Sequence, residues 1–573
     1  MSTAELSPDI IPLEPGLSLR FYEAVLLLYC LKEVMFEAKS VKEPDLESDA
    51  GRSSRDSFRC FVNKLSQICD NERRGRTVTA FAVLRPGLTQ YRFASNQRTS
   101  EELKSVKAYI DDILRLLGST PEDQLSDVFG TVLEKVIAFN HPVIKQHIQN
   151  LTQGDRMDFC VKVCEEEDTA EAQEAAQDID SLRRFSLSGE EPSSEDFVTQ
   201  TRELLETINR LHNSSFEGFL RGKARADRDP TIKTPWSELR HAFGRLHSYT
   251  VAVNMLISMR RRRQELFEDF EVVAVPSSVR SSCPHVRRTV DGILKRFPEK
   301  MNMAEVYHAS LPDEQKKAME KKVKKYGNGS KEMFKPYVHA ELLLLNSILT
   351  EEQRDGVTLR FFAEADYDRY IGCSKPTCRL CKLYIDNHPS GVEFRGGHGN
   401  IYHEWRAPDI CHGGGVNVEK AKKTRQNIHN KMLEALRERI RTTLADKAVE
   451  RNHHDSNSTP TSSMGTRSST CYQYLAAQAA TDRMDNMSTT GAMDDSDDVA
   501  TTLGRLTMAG DSGRSWTSVS RSSQDTTPIS DSFEIMMEEN PMGRLANLAL
   551  QRFPAPSRPS RAFPTLQTVP NTR

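Results

Sequence analysis

The sequence YVHAELLLLNSIL runs over residues 337–349 and, after a polar stretch, DRYIGCSKPTCRLCKLY runs over residues 368–384. Together they present His339, Glu341, Cys378 and Cys381 in the order H-x-E, then C-x-x-C. An imidazole and two thiolates fill three corners of a tetrahedral zinc site, leaving the fourth for a water whose pKa the metal lowers to about 7. Glu341, a carboxylate outside the ligand set, is then free to carry protons. Leu342 to Leu345, with Ile348 and Leu349, are apolar all round, which predicts a helix buried on most sides with Pro336 just ahead of its start. His339 and Glu341 fall in its first turn. Cys378 and Cys381, three apart, share a face on a second helix, and Pro376 signals its start. Two helix N-termini then meet at one spot, where their partial positive charge favours thiolate. Tyr370-Ile371-Gly372 reads as a short strand leading to the cysteines.

Other readings of these residues stay open at this point. A C-x-x-C pair alone is also a redox couple, half a zinc site or two buried cysteines. The upstream H-x-E on a buried helix tips the balance to metal. Cys373 is near enough in sequence to close the site as Cys3His, which would be structural and would leave Glu341 without a task.

H-x-E followed by P-C-x-x-C is the signature of zinc-dependent base deaminases. The runs YIGCSKPTCRLCKLYI and GGHGNIYHEW resemble the deaminase-like proteins common in fungi, a branch of the cytidine deaminase superfamily that also has bacterial toxin-like members. The resemblance implies zinc ligands at His339, Cys378 and Cys381, a proton-shuttling Glu341, and a three-layer α/β fold built on a cytidine-deaminase-like sheet. It departs from the pattern in one place: Pro376 precedes Cys378 by two residues, which shifts the helix start and leaves the ligand spacing intact. FASNQR is where members of that superfamily place an asparagine against the substrate sugar, implying a pocket role for Asn96, whose plain alternative is a turn asparagine. His398, His403 and Trp405 are candidates for the pocket mouth; His403 and Trp405 serve equally well packed on a sheet edge.

At 573 residues, the chain is too long for one core. A net charge of -3 with 28% charged residues neither favours nor excludes a nucleic-acid partner. Eleven scattered cysteines are no secreted disulfide framework, and the N-terminus has no signal-peptide pattern, so an intracellular site, cytoplasmic or nuclear, is expected. AVLLLYCLKEVMF is too short and too charged to span a bilayer, which predicts no membrane partner.

Outward from the zinc segment, residues 1–56 read as a helix and a polar link. Residues 57–98 read as the opening helix and β-hairpin of the deaminase-like domain, with strands at 77–84 and 90–93 and a Pro86-Gly87 turn. No strand pair precedes His339 directly, so this hairpin is expected in the same sheet as the strand entering Cys373. Residues 99–335 form a mainly helical insertion that begins at a Thr99/Glu102 capping box and holds a disordered acidic loop near 166–195. The zinc-binding core spans 336–410, with further strands at 392–395 and 401–405. A charged helix fills 411–450, and 451–573 reads as a disordered low-complexity tail with at most a short docking helix. The insertion or the tail is the expected place for a protein partner.

Three functions compete. The first is hydrolytic deamination of a cytosine or adenine base in a nucleic acid or nucleotide; the second is a non-catalytic helical interaction protein with a structural zinc; the third keeps the enzyme with a free nucleoside as substrate. Lysines between Lys316 and Lys335, Lys420 to Arg425 and the run Arg260 to Arg263 are candidates for following a phosphate backbone, or else solvated faces.

Overall fold

The computed structural model describes residues 10–35, 54–85, 87–167, 169–187, 193–226, 234–281, 286–327, 335–362, 369–411 and 417–447, plus backbone pairs at 38–39 and 449–450. The tail at 451–573 and its docking helix lie outside these residues. Helix α1 (Pro15–Val34) has Pro15 at its first position and Glu14 as its cap, the carboxylate accepting from the Gly16 and Leu17 amides. Helix α2 (Ser54–Gln67) leads into the hairpin β1 (Thr79–Leu84) and β2 (Thr89–Ser95). Helix α3 (Ser100–Ser119) starts at the Thr99–Glu102 capping box, both halves of which are formed. Further helices follow, among them α4 (His141–Leu151) and α5 (Pro235–Arg262), then strand β3 (Phe270–Val275). The H-x-E segment opens α6 (Ala340–Asp355), followed by β4 (Tyr370–Cys373), α7 (Arg379–Asp386), β5 (Glu393–Phe394) and α8 (Val418–Ala445).

One mixed sheet runs in the order β3-β2-β1-β4-β5. The hairpin shares it with the strand entering Cys373: β1 pairs antiparallel with β4, Ala80 opposite Cys373 and Phe81 opposite Gly372. Strand β3 lies parallel along β2 and forms one edge. Its sequence FEVVAV is β-branched and apolar, yet it lies within the stretch read above as a mainly helical insertion; α5 ends at Arg262, and a 3-10 turn at Gln264–Leu266 separates the two.

Alternation along the strands sends successive side chains to opposite faces. Phe81, Val83, Tyr91, Phe93 and Val272 join the cluster that holds α2 and the insertion helices. Ala80, Ala82 and Ala94 face the other cluster, with α6, α1 and α8. These alanines leave room for Leu342, Leu344, Leu345 and Ile348 of α6, all buried, so the helix is apolar because it is enclosed. An ion pair anchors its far half: buried Arg92 on β2 meets Glu351 at 2.7 Å.

Three sequence expectations need correction. The acidic stretch near 166–195 contains a helix, Ala170–Arg183, capped by Thr169 and held by buried Ala172, Ala175, Ile179 and Leu182; its acids are the outer face, and Arg183 pairs with Asp158 at 2.6 Å. Residues 1–56 and 411–450 do not stand apart from the zinc segment, because α1 and α8 pack in the same cluster as α6 and α7. In the run Arg260 to Arg263, Arg260 does not present its charge to the surface: it is buried and donates to the Leu117 and Gly118 carbonyls, ending α3, while Arg262 donates to Ser57. No described helix is long and apolar enough to cross a membrane, and the described cysteines form no disulfide.

Helix α2 presses on β4 at Gly372. A Cβ there would stand 2.7 Å from Val62 Cγ1 and 2.9 Å from Asn63 Oδ1, the atom that accepts from both Tyr370 OH and the Cys373 amide. Gly372→Ala is expected to destabilise the fold by about 1–3 kcal/mol through overpacking. Thermal unfolding reads this as a lowered Tm, while Gly391→Ala, whose added Cβ meets open space, serves as the strained-backbone comparison.

Candidate metal centre and its cavity

The two helix starts converge as the sequence suggests. His339 is the N-cap of α6 and Cys378 the N-cap of α7, with Cys381 in the first turn. His339 Nδ1 stands 3.5 Å from both Cys378 Sγ and Cys381 Sγ. A tetrahedral zinc with bonds of about 2.3 Å to sulfur and about 2.0 Å to nitrogen holds such ligands about 3.5 Å apart. The donor set is buried, and its ligand atoms all lie within 4.8 Å of one another, so the residues fit zinc both by chemistry and by spacing. Among the described residues this is the sole group of that kind.

Donors from the surroundings favour thiolate. The Cys381 amide points at Cys378 Sγ at 3.4 Å, and the Trp405 indole N–H donates to Cys381 Sγ at 3.3 Å. Burial opposes ionisation of Cys378, yet its hydrogen bond with Cys381 and the neighbouring His339 ring hold its thiol well below the ordinary value. Cys381 is shifted the opposite way, by burial and then by Cys378.

Glu341 is buried beside these residues and is not one of the grouped donors. Burial raises its carboxyl to about 7, against the lowering effect of His339. Cys373, the possible fourth ligand, is likewise outside the donor group; burial and then Glu341 push its thiol well above its ordinary range. The helix start itself is pinned by Asn96. Its Oδ1 accepts from the Ala340 amide at 2.8 Å, and its Nδ2 donates to the Gly75 carbonyl at 2.8 Å. Ala340 N–H is one of the orphan donors at a helix N-terminus, so the residue just after β2 supplies by a side chain what the helix cannot supply itself.

A cavity of about 700 Å³ opens on Glu341, His339 and Cys378. Asn96 and His398 line it; His398 Nδ1 accepts from the Asn400 amide at 3.0 Å. His403 and Trp405 do not. Trp405 is wholly buried under Cys381, packed on Phe21 of α1 at 5.7 Å, and His403 stacks on Tyr29 at 4.3 Å. The expected strand at 401–405 is reduced to Trp405–Arg406, with a turn at 403–404; Ile401 and Trp405 are buried, whereas Tyr402 is exposed and lines the cavity with Tyr337. The two tyrosine rings stand 5.2 and 6.3 Å from the His339 ring. Because this segment is not a strand, no periodicity in IYHEW marks Tyr402 as the cavity residue. The remaining wall comes from far along the chain: the turn after α2, α4 of the insertion and α5. No local pattern announces those contacts.

Trp405→Phe keeps the ring packing and removes the N–H donor to Cys381. Metal affinity is expected to fall about 10-fold or more, as for other outer partners of metal ligands. Competition with a chromophoric chelator measures it, and unchanged affinity would show that the N–H···S contact does not tune the site.

Residues 338–409 match the model of a family described as OTT_1508_deam-like deaminase. Comparison with curated proteins and with solved structures gives no match. The family match spans His339, Glu341, Cys378 and Cys381, so this segment carries a deaminase-like domain with a buried His/Cys2 candidate metal site.

Proposed function

We propose that the protein is a zinc-dependent hydrolytic deaminase acting on a cytosine or adenine base carried in a nucleotide or nucleic acid. One observation carries this reading: a buried non-ligand carboxyl, Glu341, stands beside a His/Cys2 donor set on the wall of a cavity, inside the segment that matches a deaminase family. A zinc ion held by His339, Cys378 and Cys381 supplies the activation of water. The reaction adds the oxygen of water to the ring carbon and releases the amino group as ammonia, so a proton must leave the water and one must reach the departing nitrogen. Glu341, buried on the cavity wall beside the donor set, carries it. Tyr337 and Tyr402 offer ring faces against which a base can stack.

The structural-zinc reading needs a fourth protein ligand. Cys373 is not among the grouped donors, which favours an open coordination position.

Metal analysis of His339→Ala, Cys378→Ser and Cys381→Ser is expected to show loss of zinc from each, whereas Glu341→Gln and Cys373→Ser keep it. Glu341→Gln should lower ammonia release from the responsive base by about 10²–10⁴-fold. Loss of zinc in Cys373→Ser would return the closed structural site, and full activity in Glu341→Gln would remove that residue from the proton path.

A further inference from the structure

The cavity is much larger than a base requires. At about 700 Å³ it matches the size of pockets that enclose whole small-molecule ligands, of about 300–1,000 Å³. Its wall away from the zinc segment is basic: Arg73 and Arg74 come from the turn after α2, Arg245 from α5, and Lys375 from the link between β4 and α7. The acids in the same lining are already engaged. Asp70 accepts from Thr77 Oγ1 at 2.8 Å and from Ser374 Oγ at 3.0 Å, and Glu72 is paired with Arg76 at 2.6 Å. Arg73 and Arg74 are exposed and make no hydrogen bond or ion pair among the described residues.

A second observation comes from α4. His147 lines the cavity, is 4% exposed, and its Nδ1 has no hydrogen-bond partner among the described residues. Burial, with Arg245, Arg73 and Lys375 facing it, lowers its pKa to about 3, so the ring stays neutral and adds no charge of its own. Three cations thus surround one imidazole in a space shared with the candidate metal centre. An anion with several acceptor oxygens satisfies such a set, since guanidinium groups pair with phosphate through forked hydrogen bonds. The lysine-rich helix Asp313–Tyr326 is a poorer candidate, as Lys322 pairs with Glu33 on α1 and Lys316 with Asp313.

We propose that Arg73, Arg74, Arg245, Lys375 and His147 form a phosphate-binding subsite, and that the substrate is a phosphorylated nucleoside, free or within a strand. The second clause rests on the deaminase reading; the subsite itself does not. Residues from the turn after α2 and from the helical insertion therefore select the substrate, and all of the subsite except Lys375 lies outside the segment matched by the deaminase family.

Full-length zinc-loaded protein tests this by calorimetric titration with CMP and AMP, with cytidine and adenosine, with inorganic phosphate as competitor, and with a single-stranded oligonucleotide. At least one monophosphate should bind 10-fold or more tightly than its nucleoside, and inorganic phosphate should compete. In the Arg73→Gln/Arg74→Gln double variant and in Arg245→Gln, that ratio should fall to within about 2-fold, as expected for losing charge-assisted hydrogen bonds, with zinc content and Tm unchanged. Equal binding of nucleotide and nucleoside by the wild type, or a ratio that survives in both variants, overturns the subsite. An oligonucleotide that displaces the mononucleotide identifies a strand as the source, and failure to displace it identifies a free nucleotide. Phosphate binding without turnover of any base would leave the subsite standing and remove the deaminase reading; turnover of nucleosides with no phosphate preference would do the reverse.

Discussion

The pairing of Ala80 and Phe81 with Cys373 and Gly372 is the constraint on which the site depends. These main-chain bonds join the hairpin to the strand entering the cysteines and set the level at which Asn96 meets the start of α6 and Ser374 meets Asp70. Loop-closure entropy grows only with the logarithm of loop length, each doubling adding about 0.6 kcal/mol. An insertion between paired strands is therefore tolerated thermodynamically if it folds on its own account. Here it does so by burying a large apolar cluster against the outer face of the same sheet.

The chain also closes from its ends. Helix α1 is buried on nearly every side, and Arg425 of α8 donates to the Ile11 and Pro12 carbonyls, tying the segment before α1 to the helix after the zinc segment. Phe21 and His429 from these two helices flank Trp405, which donates to Cys381. The metal ligands thus rest on side chains from both ends of the folded region.

Much of this was legible in the sequence, because the signals were local. The H-x-E and C-x-x-C spacing, the helix starts at Thr99 and His339, and the hairpin all follow from short-range rules. The hairpin's partner followed from a deficit, the lack of any strand pair before His339. What escaped the reading depends on distant neighbours. Strand β3 is an edge strand whose only cue was its β-branched composition, and the acidic helix Ala170–Arg183 hid five buried apolar positions among its charges. The indole N–H of Trp405 and the carboxamide of Asn96 have partners that no spacing encodes, since α1 and the Gly75 turn bring them together only in three dimensions.

The antiparallel seam between β1 and β4 also orders events in time. During synthesis at about 5–20 residues per second, the strand that ends at Leu84 leaves the ribosome roughly 15–60 s before its partner at Tyr370. Throughout that interval the β1 edge has no native neighbour on that side, while α2 and the growing insertion can already cover its outer face. The donor trio cannot assemble until Cys381 has emerged, so the candidate metal site forms only after both strands of the seam have been made.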